Sequence, residues 1–195
     1  MGRIFYIMGK SASGKDTIYR HLLEDEEFSF QKMVPYTTRP IRSGEKNGAD
    51  YFFTDEAGLE KICRDGKLVE LRTYQTAHGP WHYFTVDDGQ VDLAQYSYLV
   101  IGTLESYQSL KKYFGAENMA PIFIDLDDGL RLQRALDRER AQDVPKYKEM
   151  CRRYLADLED FSEERIAEAG IETRFFNNEL NDCIEQIKIY IRKNL

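Results

Sequence analysis

Residues 4–17 read Ile4-Phe5-Tyr6-Ile7-Met8-Gly9-Lys10-Ser11-Ala12-Ser13-Gly14-Lys15-Asp16-Thr17, and their order decides the fold. Five apolar residues from Ile4 to Met8 end at a glycine, the pattern of a strand buried on both faces. From Asp16 to Glu24, Ile18, Leu22 and Leu23 fall on one side of a helix. Between them, Gly9 to Lys15 fits G-x-x-x-x-G-K, a spacing that carries chemistry when it joins a strand to a helix, as it does here. Glycines let the backbone curl so that successive N–H groups point at one anion. The helix N-terminus adds partial positive charge, and Lys15 reaches toward β and γ phosphates. Gly9, Ser11, Ser13, Gly14 and Lys15 therefore predict a site for a nucleoside triphosphate. A glycine-rich turn that binds nothing is the plain alternative, and the strand and helix on either side weigh against it. After Lys15 stands Asp16 where the pattern has Ser or Thr, with Thr17 one residue on. Either the Thr17 hydroxyl stands near Mg²⁺ or the Asp16 carboxylate takes part through water. Asp16 also suits a first helical turn on electrostatic grounds alone.

The alternation continues outward. Tyr96–Ile101, Pro121–Leu126 and Ile171–Phe176 are strand candidates with helical patterns between or after them, which predicts an α/β fold with a parallel sheet flanked by helices. Met33–Val34, Asp50–Thr54, Leu68–Tyr74 and Trp81–Val86 form a strand-rich stretch, with Gly79-Pro80 as the turn between the last two. This predicts a β-rich insertion at about 35–90 and a helical one at about 130–153, where Arg131, Arg134 and Arg138 share a helix face and Pro145 breaks the pattern beyond them. The core is then about 1–34, 91–129 and 154–195, closed by an amphipathic helix from Glu179 to Lys193.

At 195 residues one domain is expected. With 42% hydrophobic and 31% charged residues the composition is that of a globular chain and excludes disordered and collagen-like classes. The formal charge of -7 disfavours nucleic acid polymers and anionic membranes, whose affinity comes from excess Lys and Arg. Cys63, Cys151 and Cys183 are odd in number and lack paired zinc spacing, so they read as reduced thiols of a cytoplasmic protein. No apolar run is long enough to span a membrane, and no signal-peptide pattern opens the chain.

Residues 37–53 read Thr37-Thr38-Arg39-Pro40-Ile41-Arg42-Ser43-Gly44-Glu45-Lys46-Asn47-Gly48-Ala49-Asp50-Tyr51-Phe52-Phe53. Two guanidinium forks three residues apart in a turn-rich segment, with a tyrosine hydroxyl, suit one phosphate; a solvated charged face is the plain reading of the same three residues. The stretch resembles the T-T-R-x-x-R-x-G-E-x-x-G-x-D-Y-x-F signature of guanylate kinases, and with the loop at Gly9 the resemblance extends over the whole chain.

That resemblance implies an ATP-dependent nucleoside monophosphate kinase that converts GMP to GDP with Mg²⁺, with dGMP as a further acceptor. It assigns Arg39, Arg42 and Tyr51 to the acceptor monophosphate. Leu68-Val69-Glu70 resembles a strand whose carboxylate accepts from guanine's ring N–H and exocyclic amine, and Gly79–Thr85 resembles a segment placing Tyr83 by that phosphate and Thr85 near the base. Arg134 and Arg138, with Arg153 from the following helix, resemble lid arginines over the ATP phosphates, and Asn177 matches a position near adenine. The departures concern the base. A family serine is Pro35 here, and an Asp-x-Asp at the end of the middle strand aligns with Ile101-Gly102-Thr103. Glu105 or Asp125 is then the substitute for Mg²⁺ organisation. The alternatives are a related kinase for another monophosphate and a non-catalytic guanylate-kinase-like interaction domain, which the intact loop disfavours.

Overall fold

The structure is a computed structural model that describes residues 2–76 and 79–195. Along the chain run β1 (Ile4–Met8), α1 (Lys15–Leu23), β2 (Gln31–Lys32), β3 (Tyr36–Thr37), β4 (Phe52–Phe53), α2 (Glu56–Arg64), β5 (Leu68–Thr76) and β6 (Gly79–Val86). Then come β7 (Tyr98–Ile101), α3 (Leu104–Phe114), β8 (Met119–Asp125), α4 (Asp128–Arg140), α5 (Tyr147–Asp160), α6 (Glu163–Glu168), β9 (Arg174–Phe176) and α7 (Leu180–Asn194).

Strand β1 is apolar throughout because it is the middle of a sheet covered on both faces. The order is β2-β7-β1-β8-β9, with every pairing parallel. On one face Ile4, Tyr6 and Met8 pack with Leu104, Tyr107 and Ile166 of α3 and α6. On the other, Phe5 and Ile7 pack with Ile18 and Leu22 of α1 and with Cys183, Ile187 and Ile191 of α7. A parallel sheet sandwiched in this way opens its ligand crevice at the carboxyl ends of its strands, which is where the Gly9 loop emerges.

The insertion holds a second sheet, β4-β3-β6-β5, antiparallel except for the β3–β4 pair. It also holds a helix that the strand-rich reading passed over, α2, capped by the Asp55 side chain, which accepts from the Gly58 N–H at 2.8 Å. The strand expected at Met33–Val34 lies two residues earlier, because the Gln90 amide takes the Val34 N–H at 2.7 Å and turns the chain off the sheet. The strand expected over Asp50–Thr54 shrinks to β4, as Asp50 turns back to accept from the Lys46 N–H at 2.8 Å. Gly79-Pro80 is not the turn: both lie in β6, paired with Thr76 and Gln75 of β5. The strands expected from Tyr96 and from Ile171 start at Tyr98 and Arg174, where pairing to β1 and β8 begins.

Leu22 is wholly buried between α1 and the sheet. Leu22→Ala is expected to cost about 2 to 5 kcal/mol in urea denaturation. Leu155→Ala on an exposed position of α5 is expected to stay within about 0.5 kcal/mol.

Candidate active site

The Gly9–Lys15 loop is shaped by close approaches. A side chain at Gly9 would stand 2.4 Å from the Ile124 carbonyl oxygen of β8, so β1 can pass into the loop only through glycine. Gly14 caps α1 at φ 92 with no side chain closing the helix end, and a Cβ there would meet the Asn177 amide nitrogen at 2.2 Å. The first-turn N–H groups are thereby left for an anion. Asn177 Nδ2 donates to the Ser13 carbonyl at 2.7 Å, while its Oδ1 and the Ser13 hydroxyl are buried without a hydrogen-bond partner. Unsatisfied buried polar atoms beside a phosphate-type loop fit a polar ligand at that position.

Lys15 is paired with Asp16 at 3.2 Å. Asp16 and Thr17 line a groove with Gly14, Arg134, Arg138 and Asn177, so the P-loop and the two arginines of α4 share one surface. Arg134 donates to the Asn177 carbonyl at 3.1 Å. Arg138 and Arg153 line the adjoining groove between α4 and α5, which Ser11 also lines, and Arg153 is held by Glu149 at 2.9 Å. Arg131, on the same stripe as Arg134 and Arg138, serves the packing of α4 on α5 instead, since it is buried, stacks over Tyr154 at 4.1 Å and pairs with Asp157 at 3.0 Å. Asp157 in turn accepts from the Ser11 N–H at 2.8 Å, tying α5 to the loop. Neither substitute carboxylate faces the loop groove: Asp125 pairs with Arg174 at 3.2 Å, and Glu105 lines a separate groove with Gln108 and Arg165. Among the described residues no three His, Cys, Asp or Glu side chains are grouped to hold a metal ion.

In the segment that follows β3, Arg39 is buried. It donates to Tyr83 Oη at 3.1 Å, to the Pro40 carbonyl at 2.9 Å and, through both Nη atoms, to Glu45 at 2.8 and 2.5 Å. Its guanidinium also faces the Tyr51 ring at 5.0 Å. The Arg42 backbone N–H reaches the same Glu45 at 2.8 Å, while its exposed side chain lies 6.0 Å from the Trp81 ring. Glu45, which the sequence presented only as part of a motif, thus occupies the fork of Arg39 in the bidentate manner of a phosphate. Those hydrogen bonds from Arg39, aided by the Arg42 N–H, pull the Glu45 carboxyl down to about 2.

The long β5–β6 hairpin supplies the floor. A bulge between Leu68 and Glu70 turns Glu70 inward opposite Thr85. Alternation from there puts Arg72 and Tyr74 on the face of Glu70, with Tyr83 opposite Arg72. Glu70 is buried and accepts from Thr85 Oγ1 at 3.0 Å, from Ser106 Oγ at 3.2 Å and from Arg72 twice, at 3.0 and 3.2 Å. Burial acts to lower the Arg72 pKa, and the attraction of Glu70 outweighs it, so the net shift is upward and the guanidinium stays charged. Arg72, Ser106 and Thr85 line a cleft of about 350 Å³ that also meets Pro35, Tyr51 and Asp16.

A strand–loop–helix cradle of the phosphate-binding shape in a parallel sheet, beside a cleft that runs from Asp16 to Tyr51 and the Glu45 that pairs with Arg39, is the architecture of the class of P-loop kinases. The family described as guanylate kinase matches residues 1–87. Guanylate kinase of Anaplasma phagocytophilum is 30% identical over 144 residues, 73% of this chain and 67% of that protein. That of Porphyromonas gingivalis is 26% identical over 191 residues, 96% and 95% of the two chains. The crystal structure of guanylate kinase from A. phagocytophilum superimposes with a TM-score of 0.65 at 19% identity, covering 98% of this chain and 85% of that one. The chain belongs to the guanylate kinase family.

Because the Glu45 pKa is depressed in the folded state, its stabilising contribution is full above its ordinary value of 4.5, shrinks as pH falls and is gone below about 2. Glu45→Gln is therefore expected to be less stable than the parent at pH 7, with the gap closing on acidification through that window. Urea denaturation of both proteins over that range checks it, and a gap independent of pH would contradict it.

Proposed function

We propose that this chain phosphorylates GMP, with dGMP as a second acceptor, to the diphosphate at the expense of ATP and with Mg²⁺, as a cytoplasmic enzyme of nucleotide metabolism. The observation that carries this reading is that two anion sites built from separate parts of the chain meet at one residue: Asp16 lines both the groove of the P-loop and the cleft of Arg72, Thr85 and Tyr51. ATP phosphates occupy the first; the second is lined by Tyr51 and by Glu45, the carboxylate in the fork of Arg39, so an acceptor monophosphate that replaces Glu45 there meets Arg39, Arg42, Tyr51 and Tyr83, with Lys15 next to the shared Asp16.

A phosphate monoester with a second pKa near 6 is a competent nucleophile at neutral pH, so no protein base is needed. An acceptor phosphate oxygen bonds to the γ-phosphorus, the bond from that phosphorus to the β,γ-bridging oxygen breaks, and ADP departs with the electron pair. The chain contributes alignment and charge neutralisation, by Lys15 with Arg134, Arg138 and Arg153. Gly9, Ser11, Ser13, Gly14 and Thr17 hold the donor phosphates, and Asn177 stands at the donor base. The Thr17 hydroxyl and the Asp16 carboxylate, both oxygen donors lining the donor groove, are the residues to hold Mg²⁺, a hard cation suited to one or two carboxylates and substrate phosphates, which would neutralise charge on the transferring group.

A coupled assay of ADP release with each common monophosphate tests the reading; no turnover with GMP would end it. Lys15→Ala is expected to lower kcat by about a hundredfold to a thousandfold with the fold intact. Arg39→Ala is expected to raise the KM for the acceptor, and Arg138→Ala to lower kcat with little change in nucleotide affinity. One shared kinetic signature for these two variants would refute the division into acceptor site and lid. Closure of the segments at about 35–90 and 130–153 over the core excludes water, and is expected to reduce the radius of gyration in solution scattering when both nucleotides are bound.

A further inference from the structure

Resting on the reading of the chain as a GMP kinase, we propose that Arg72, rather than Glu70, is the residue presented to the acceptor base, and that it reads the O6 and N7 acceptors of a 6-oxopurine. The substrate class is then 6-oxopurine nucleoside monophosphates, guanine and hypoxanthine alike, with no requirement for the 2-amino group.

Glu70 has little left to offer a ligand. An ionised carboxylate has about two lone-pair sites on each oxygen; Oε1 already takes three donors, from Thr85, Ser106 and Arg72 Nη2, and Oε2 takes Arg72 Nε, so Oε1 is full and only one site on Oε2 is left. Guanine's ring N–H and 2-amino group together require two free acceptors side by side. Freeing them means separating Arg72 from a carboxylate whose side chain is 2% exposed, which strands both charges in a buried place.

Arg72 is in the opposite condition. Of its five N–H groups, Nε and one on Nη2 go to Glu70, and one on Nη1 makes a long 3.4 Å contact with Thr103 Oγ1. That leaves two N–H groups for a ligand in the cleft that Arg72 lines. The hydroxyl of Thr103 is also spoken for, since it caps α3 by accepting from the Ser106 N–H at 3.2 Å. Pro35, on the cleft wall, has no side-chain polar atom. The base end of the cleft therefore presents fixed donors. Paired donors of a guanidinium match two adjacent acceptors, which guanine and hypoxanthine carry at O6 and N7, whereas adenine sets an amino group beside N7 and meets donor with donor.

The test uses base-modified acceptors on the unmodified protein, reading both kcat/KM and equilibrium binding. IMP is expected within about tenfold of GMP, because the missing 2-amino group had no acceptor. The 7-deaza analogue of GMP and AMP are each expected to fall by about tenfold to a hundredfold, the usual worth of a bidentate base contact. Arg72→Ala is expected to abolish the distinction between GMP and its 7-deaza analogue; should that variant not fold, the analogue series on the parent decides alone. IMP reduced a hundredfold with 7-deaza-GMP unchanged would return base reading to Glu70 and overturn the inference while leaving the kinase intact. CMP preferred over GMP, through the adjacent O2 and N3 acceptors of cytosine, would overturn the purine assignment. If no monophosphate turns over, the kinase reading fails, and the binding order of the same analogues still upholds or refutes the role of Arg72.

Discussion

The structure depends on the point where β1 leaves the sheet. A strand buried on both faces and hydrogen-bonded on both edges must pass from Met8 into a loop whose backbone runs against the Ile124 carbonyl, with no room for a side chain at Gly9. Once through, the chain has only Gly14 between the loop and α1, and there a side chain would collide with Asn177. Asn177 follows β9, the far edge strand, so the cradle is shaped by the sheet from both sides. Every later position in the site is measured from this junction: α4 and α5 dock on it through Arg131 and Asp157, and the cleft opens beside it.

A chain of net charge -7 that is to receive phosphates faces a conflict between keeping its cations available and keeping them apart. The structure resolves it with carboxylates standing where phosphates are expected. Glu45 sits in the fork of Arg39, Asp16 on Lys15 and Glu149 on Arg153, and Asp157 accepts the Ser11 N–H. These pairs hold the arginine and lysine side chains near their working positions, and a doubly charged phosphate with more acceptor oxygens outcompetes a single carboxylate in a charge-assisted fork. The exposed pairs among them, Lys15 with Asp16 and Arg153 with Glu149, exchange partners at small cost, as exposed ion pairs do.

The sandwiched sheet, the phosphate loop and the closing helix were legible because each rests on local pattern: an apolar run ended by glycine, a fixed spacing and a 3.6-residue period. The Arg39 site was legible as a motif, though not the occupation of its fork, since nothing in Gly44-Glu45-Lys46 says which way a carboxylate turns. Helix α2 escaped although Leu59 and Ile62 stand on one face against Phe84 and Val86, because a stripe of two such residues in nine is too short to stand out between strand patterns. The strand edges failed where a side chain, Gln90 or Asp50, takes a backbone hydrogen bond that a strand would have used. Arg72 had one signal in the sequence, the two-residue period that places it on the face of Glu70, and a residue's face says nothing of which partner it chooses across 31 positions of sequence.

Two departures that the resemblance marks, Pro35 and Thr103, stand beside Arg72, which lines the cleft with Pro35 and fills the space between Thr103 and Glu70. Thr103, Arg72 and Glu70 are electrostatically coupled. With a second acid at position 103 the site would carry two negative charges around one guanidinium. With Thr103 there, Arg72 and Glu70 form a neutral pair, and the threonine hydroxyl supplies the weak third contact that orients Nη1. The phosphate sites tolerate their motifs being read one residue at a time, because each arginine meets an anion by charge alone. A site that reads a base does not, because hydrogen-bond donors and acceptors discriminate only as a set, and a guanidinium bound to Glu70 changes what Glu70 itself has left to accept.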